Sequence, residues 1–228
     1  MEKNDFLLYN EVVYRIHACQ TLQELKPTIL SQVNLLIPYS YASFISVRED
    51  PETRELIHSD PYCKPARFEA AERAWLNQLM DQSYTIWLSH AAESVVIRDS
   101  EIIGEGRFST PTYRDLYLDY DVYDSIQMNA VHGGKAIGRL ALYRTRKEGL
   151  FTDQDAFYLR ALSNHINLAY SVCSRSQRER GTAARDLDQL AREFNLTRRE
   201  EEILGLVFQD MNNEEVLQQL TIEQICRK

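Results

Sequence analysis

The chain has 228 residues, with 26 Lys and Arg against 34 Asp and Glu, a formal charge of −8 and 44% hydrophobic residues. This balance fits one large domain, or one plus a small appendage, and excludes wholesale disorder. No apolar run approaches the roughly 18–20 residues of a membrane span, and the acidic excess opposes a constitutive nucleic-acid coat, which needs a basic footprint.

The N-terminus carries no basic region ahead of an apolar one, so the expectation is a cytoplasmic protein without a signal peptide or membrane contact. Cys19, Cys63, Cys173 and Cys226 show no C-x-x-C or C-x-x-H spacing, and the five histidines are equally scattered. Such placement points to free thiols rather than to a disulfide framework or a metal site, and no cofactor is expected.

Along the chain, Phe6, Tyr9, Val13 and Ile16 recur at helical spacing. Thr21 and Glu24 form a capping-box pair ahead of a second helix carrying Leu22, Leu25, Ile29, Val33 and Leu36. Pro27 falls early in that helix and Pro38 closes it. From Tyr39 the period changes to two, and Tyr41 to Val47 is apolar on both faces, as in a strand covered on both sides. A polar loop at Arg48–Glu52 leads to a returning strand at Glu55–Ser59.

Residues 65–82 read as helix, Tyr84–Leu88 and Ser94–Ile97 as short strands, and Thr110-Pro111 as the start of another helix. Ser125–Val131 and Ile137–Tyr143 are strands joined by His132-Gly133-Gly134-Lys135, where paired glycines supply the positive φ of a tight turn. Phe151-Thr152-Asp153-Gln154-Asp155 caps a long helix. The order α-α-β-β-α-β-β-α-β-β-α implies an α+β domain with a mainly antiparallel sheet, six strands and flanking helices. Residues 174–186 are polar and charged, a linker or a solvated helix extension. The expected division is therefore a domain at 1–173, a linker at 174–186 and a small all-α unit at 187–228.

Two stretches carry a resemblance. Gly138–Arg144, Leu150–Asp155, Leu159 and Leu162 resemble the close of a GAF domain, and Thr110–Leu116 with Ser163–Ala169 resembles the GAF-like sensors attached to LuxR-type regulators. Leu196–Leu204 is similar to the opening helix of a LuxR-type helix-turn-helix, and Asn212–Ile222 to its next helix and turn. The capping box Thr197/Glu200 and the apolar face Ile203, Leu204, Val207 and Phe208 are readable without the family. Asp210 and Glu214 depart from its pattern.

The resemblance implies a bacterial transcriptional regulator in which a GAF-like domain senses an unknown small molecule and controls DNA binding. Its recognition helix would begin near Glu223, so a chain ending at Lys228 implies a truncated helix-turn-helix. Acidic residues outnumber the five basic ones over 187–228, the wrong sign for phosphate binding by this stretch.

Tyr41, Ser43, Trp75, Trp87, Tyr113 and Met128 are the candidate ligand wall, because Tyr and Trp combine apolar bulk with a polar handle. Arg198, Arg199, Arg227 and Lys228 are the candidate DNA contacts. Leu159, Leu162, Ile166, Ala169 and Cys173 make a heptad-like stripe that suits a homodimer through helix 155–173. No Gly-rich phosphate loop or G-x-S-x-G is present, so no enzyme is expected. Two alternatives stand beside the regulator: a sensor or dimerisation module acting through protein contacts, and a GAF-type thiol redox enzyme built on Cys63 beside Lys64.

Overall fold

The computed structural model describes residues 3–193 and 196–207. By contacts the chain divides into two units, Met1–Ser174 and Arg175–Lys228. In the first unit the opening helices are α1, Lys3–His17, and α2, Leu22–Leu36. Thr21 caps α2 as expected: its hydroxyl accepts the Glu24 N–H at 3.2 Å, while the Glu24 carboxylate accepts the N–H of Gln20 at 3.0 Å.

Five strands follow: β1, Tyr41–Glu49; β2, Leu56–Lys64; β3, Val96–Arg98; β4, Val122–His132; and β5, Lys135–Thr145. They form one sheet in the order β2-β1-β5-β4-β3, antiparallel throughout. The turn joining β4 to β5 places Gly133 at φ 58° and Gly134 at φ 73°, the left-handed pair that the paired glycines predicted.

The sixth expected strand is absent. Tyr84–Leu88 is instead a 3-10 turn over Ile86–His90. Local bonds account for it: the Ser83 hydroxyl accepts the Thr85 N–H at 3.3 Å and contacts the Thr85 hydroxyl at 2.9 Å. Such side-chain bonds offer the backbone an alternative to a ladder.

Burial on both faces of the sheet makes the α+β architecture. On one face Ala42, Phe44, Ile126, Met128, Ala130, Leu140 and Leu142 pack with α1, α2 and a long helix, α5, Asp153–Glu193. The other face is covered by α3, Glu69–Ala74, by α4, Asp99–Ile102, and by a chain of 3-10 and π turns between Trp75 and Tyr120. Residues 65–82 are helical as expected, but the helix widens into a π turn at Trp75–Leu79.

The start of α5 is fixed by a buried pair. The Arg144 guanidinium on β5 reaches the Asp155 carboxylate at 3.0 and 3.1 Å, and the same carboxylate accepts the Thr152 N–H at 2.7 Å. Residues 174–186 lie within α5. A sixth helix, α6, spans Arg198–Val207, with Thr197 and Glu200 as its cap; the Thr197 N–H donates to the Glu200 carboxylate at 2.8 Å. The expected second helix of the pair, over 212–222, lies outside the described residues.

The stripe assigned to a helix pair is used differently. Leu159, Leu162, Ile166, Ala169 and Cys173 are all buried in the domain's own core against the sheet and α1 and α2. A single helix cannot present one stripe both to its own sheet and to a partner. The outward side of α5 carries Phe157, Leu168 and Val172 instead.

Gly138 on β5 shows how tightly the helical face is packed. A Cβ there would meet the Phe44 ring at 2.8 Å and the Ile45 carbonyl at 3.1 Å. Phe44 is fully buried and stacks on Tyr170, so its ring has nowhere to retreat. Gly138→Ala is expected to destabilise the domain by about 1–3 kcal/mol, read from the urea midpoint.

Candidate functional site

The polar face of the sheet follows from strand alternation. Ile126, Met128 and Ala130 of β4 enter the helical core, so Ser125, Gln127 and Asn129 point the other way. Leu140 and Leu142 of β5 likewise turn Arg139, Ala141 and Tyr143 toward the shell of short turns. Covering this face buries groups that require partners.

Arg139, 5% exposed, is the central one. One of its nitrogens, Nη2, donates to Gln127 Oε1 at 2.7 Å, and its guanidinium lies 4.1 Å from the ring centre of Trp75. Its Nε and Nη1 have no hydrogen-bond acceptor. Glu72 Oε2 stands 3.9 Å from Nη1, close enough for charge attraction and too far for a hydrogen bond.

The other Glu72 oxygen accepts the Ser43 hydroxyl at 3.0 Å and a short bond from the Tyr143 hydroxyl, which also contacts Tyr117 at 3.1 Å. Gln127 passes the network onward: its amide donates to Asp99 at 3.1 Å and to Ser125 at 2.9 Å. Asp99, at the start of α4, also accepts the Ser125 hydroxyl at 2.5 Å and a bond from Tyr84. Arg107 gives Nε to the Tyr123 carbonyl at 2.9 Å and Nη1 to the Gly104 carbonyl at 2.6 Å, leaving Nη2 without an acceptor. A buried charged donor without a partner costs on the order of 1–3 kcal/mol or more.

Arg139, Gln127, Asp99, Ser125 and Arg107 line one cavity. Its lining includes Trp75, Tyr84, Asp99, Arg107, Tyr113, Tyr117, Tyr123, Gln127 and Arg139. The space between the lining atoms, mouth included, is about 410 Å³, but only about 20 Å³ stands clear of the walls. That is the room of about one water.

Of the expected ligand wall, Trp75 and Tyr113 line this cavity. Tyr41 and Ser43 lie on the same sheet face but are engaged nearby, Tyr41 stacked on Phe68 at 4.8 Å and Ser43 bonded to Glu72. Met128 is fully buried on the opposite face, because its neighbour Gln127 takes the cavity side. Trp87 is 44% exposed and does not line the cavity, since the strand that would have aimed it inward is a 3-10 turn. Asp99, Arg107, Gln127 and Arg139 were not anticipated from the sequence. For Gln127 the signal was the run Ser125-Ile126-Gln127-Met128-Asn129-Ala130, in which a strand covered on both sides keeps strict polar alternation.

Of the expected DNA contacts, Arg198 and Arg199 lie in α6 and approach Glu202 at 3.9 and 3.2 Å. Arg227 and Lys228 lie outside the described residues. Cys63 is buried, and burial pushes its thiol up, followed by the nearby charges of Glu72 and Glu69. A thiol so placed stays protonated near neutral pH, which removes the activation expected from Lys64.

Burial pushes the Asp99 carboxyl up to about 6, against hydrogen bonds from Ser125 and Tyr84 that favour its charged form. The folded state therefore holds the proton at a pH where the unfolded chain has released it. Stability from this group is present at low pH and is lost as pH rises from about 4 through about 6, by at most about 1.4 kcal/mol per pH unit. Asp99→Asn is expected to flatten that slope relative to the parent, read from urea unfolding between pH 4.5 and 7.5.

No family model matches the sequence, and no curated relative matches it. Solved structures do match in fold. The VqsR LBD domain of Pseudomonas aeruginosa is 11% identical, with a TM-score of 0.54, 77% of this chain covered and 99% of that one. SdiA of Escherichia coli is 12% identical, with a TM-score of 0.52, 90% of this chain covered and 90% of that one, and SdiA in complex with octanoyl-rac-glycerol is 13% identical, with a TM-score of 0.50, 95% of this chain covered and 91% of that one. The GAF domain of a phosphoenolpyruvate-protein phosphotransferase of Coxiella burnetii is 11% identical, with a TM-score of 0.52, 77% of this chain covered and 97% of that one. At these identities the likeness is one of fold: a GAF-like α+β domain shared with LuxR-family ligand-binding domains.

Proposed function

We propose that the first unit is a sensory domain that binds a small organic molecule between the sheet and its shell of short turns, in a bacterial transcriptional regulator of LuxR type. The observation that carries this is a buried cavity whose wall holds arginine donors without acceptors. Structural groups of that cost are normally satisfied within the protein; left without an acceptor on residues that line a cavity, they are available to a ligand that enters it.

The solved neighbours support the same reading. SdiA carries octanoyl-rac-glycerol, and its match extends over 95% of this chain rather than the sensor alone. Ligand binding would change the relative stability of two arrangements of the domain, and the C-terminal unit would report that change at DNA. The role is that of a binding protein, with no catalytic step.

A second reading, a sensor acting through protein contacts alone, is favoured by charge. Residues 175–228 carry 9 Lys and Arg against 11 Asp and Glu, a balance of −2, and Arg198 and Arg199 are already paired with Glu202. Fluorescence anisotropy of the full chain with duplex DNA at 50 and 200 mM salt separates the two. The regulator predicts binding that weakens at least tenfold across that range, since phosphate contacts release counterions. Absence of any complex would leave the protein-contact reading.

Homodimer formation would use the outward side of α5, where Phe157, Leu168 and Val172 are each about half exposed. Leu168→Glu is expected to shift a dimer toward monomer in sedimentation velocity without changing the unfolding midpoint, because Leu168 makes no part of the domain's core.

A further inference from the structure

The chemistry of the open groups narrows the ligand, on the premise that this cavity is a sensory site. Every buried acid around it already has donors. Glu72 takes two hydroxyls, Asp99 takes the Ser125 hydroxyl and the Gln127 amide, and Asp124 takes the Ser100 N–H and hydroxyl and the Phe151 N–H. Of the buried carboxylate oxygens of the described residues, only Glu72 Oε2 lacks a hydrogen-bond donor, and it faces Arg139.

The surplus on the cavity wall is of donors. Arg139, nine-tenths buried, keeps Nε and Nη1 open, and Arg107, equally buried, keeps Nη2 open. Both are permanently charged guanidinium groups, and both sit over aromatic rings: the Arg139 guanidinium carbon 4.1 Å from the ring centre of Trp75, that of Arg107 4.2 Å from Phe108. Their orientation is therefore set before anything binds.

We infer that the cavity binds a compact, flat carboxylic acid, whose carboxylate accepts the open N–H groups of Arg139, with Arg107 as a further donor on the same wall, and whose body lies against Trp75, Tyr84 and Tyr113. Three observations select this class. The unfilled hydrogen bonds belong to cations, and charge-assisted bonds to carboxylate are the strongest such partners can make. The walls that would meet the body of the ligand are aromatic, which suits a planar group. The free space is one water wide, so a short rigid body requires far less displacement of the wall than a long acyl chain.

The test uses the full chain carrying Trp87→Phe, which leaves Trp75 as the sole tryptophan. Benzoate is the probe, benzamide its uncharged isostere and octanoyl-rac-glycerol a neutral acyl probe; binding is read from Trp75 fluorescence and from the thermal midpoint. Benzoate is expected to quench Trp75 and raise the midpoint, benzamide to bind at least tenfold more weakly, and Arg139→Gln to weaken benzoate at least tenfold.

Equal binding of benzamide, or unchanged benzoate binding in folded Arg139→Gln, overturns the inference. Should Arg139→Gln fail to fold by circular dichroism, Arg107→Gln carries the same comparison, and unaltered benzoate binding there overturns it equally. Binding of octanoyl-rac-glycerol without benzoate overturns the carboxylate assignment and leaves the sensory reading intact; binding of neither probe removes both.

Discussion

A guanidinium at the centre of a sheet governs this domain. Arg139 occupies the middle strand of five, where a charged side chain is tolerated only if the surrounding structure supplies partners. Gln127 on the neighbouring strand accepts one of its nitrogens, Glu72 supplies the opposite charge from the covering helix, and Trp75 supplies a π face. Each of those groups is then committed: Gln127 to Asp99 and Ser125, Glu72 to Ser43 and Tyr143. Satisfying one buried charge thus organises most of the polar face. The partial result, two guanidinium nitrogens left without an acceptor, is the feature that separates this face from an ordinary core.

Much of the fold was legible because its signals are local. The capping residues Thr21, Thr152 and Thr197 all act as caps, and the glycine pair at 133–134 turns the β4–β5 hairpin in the left-handed conformation. The Tyr84–Leu88 segment was misread because its apolar and β-favouring composition competes with hydroxyl bonds of Ser83 and Thr85 that composition does not reveal. The stripe on α5 shows a different limit. Periodicity states that one side of a helix is buried and is silent about what buries it; here the answer was the sheet.

The site was less legible than the fold for a related reason. Aromatic residues are an ambiguous indicator, since they fill cores and line cavities alike. Trp75 and Tyr113 reach the cavity while Met128 misses it by one residue of strand register. Parity was the better guide: once Met128 is given to the helical core, Gln127 must face the cavity, and across the ladder the same rule delivers Arg139. A charged residue flanked by Gly138 and Leu140 on a strand covered on both faces was the stronger signal, because burying it is costly unless it serves something.

The two layers covering the sheet differ in their capacity to respond. On the helical face, Gly138 has no room for a methyl group and Phe44 is locked against Tyr170, so that layer transmits displacement rather than absorbing it. On the cavity face, 3-10 and π turns replace regular helix between Trp75 and Tyr120, and short elements of this kind have fewer cooperative backbone bonds to lose. A ligand of the proposed kind, entering beside Arg139, would therefore meet a yielding wall in the shell and an unyielding one in the sheet. Arg139 and Leu140 are consecutive on β5 and point to opposite faces. Farther along the same strand, Arg144 holds the first turn of α5 through Asp155. Strain placed on β5 from the cavity side thus has a direct structural route to the base of α5.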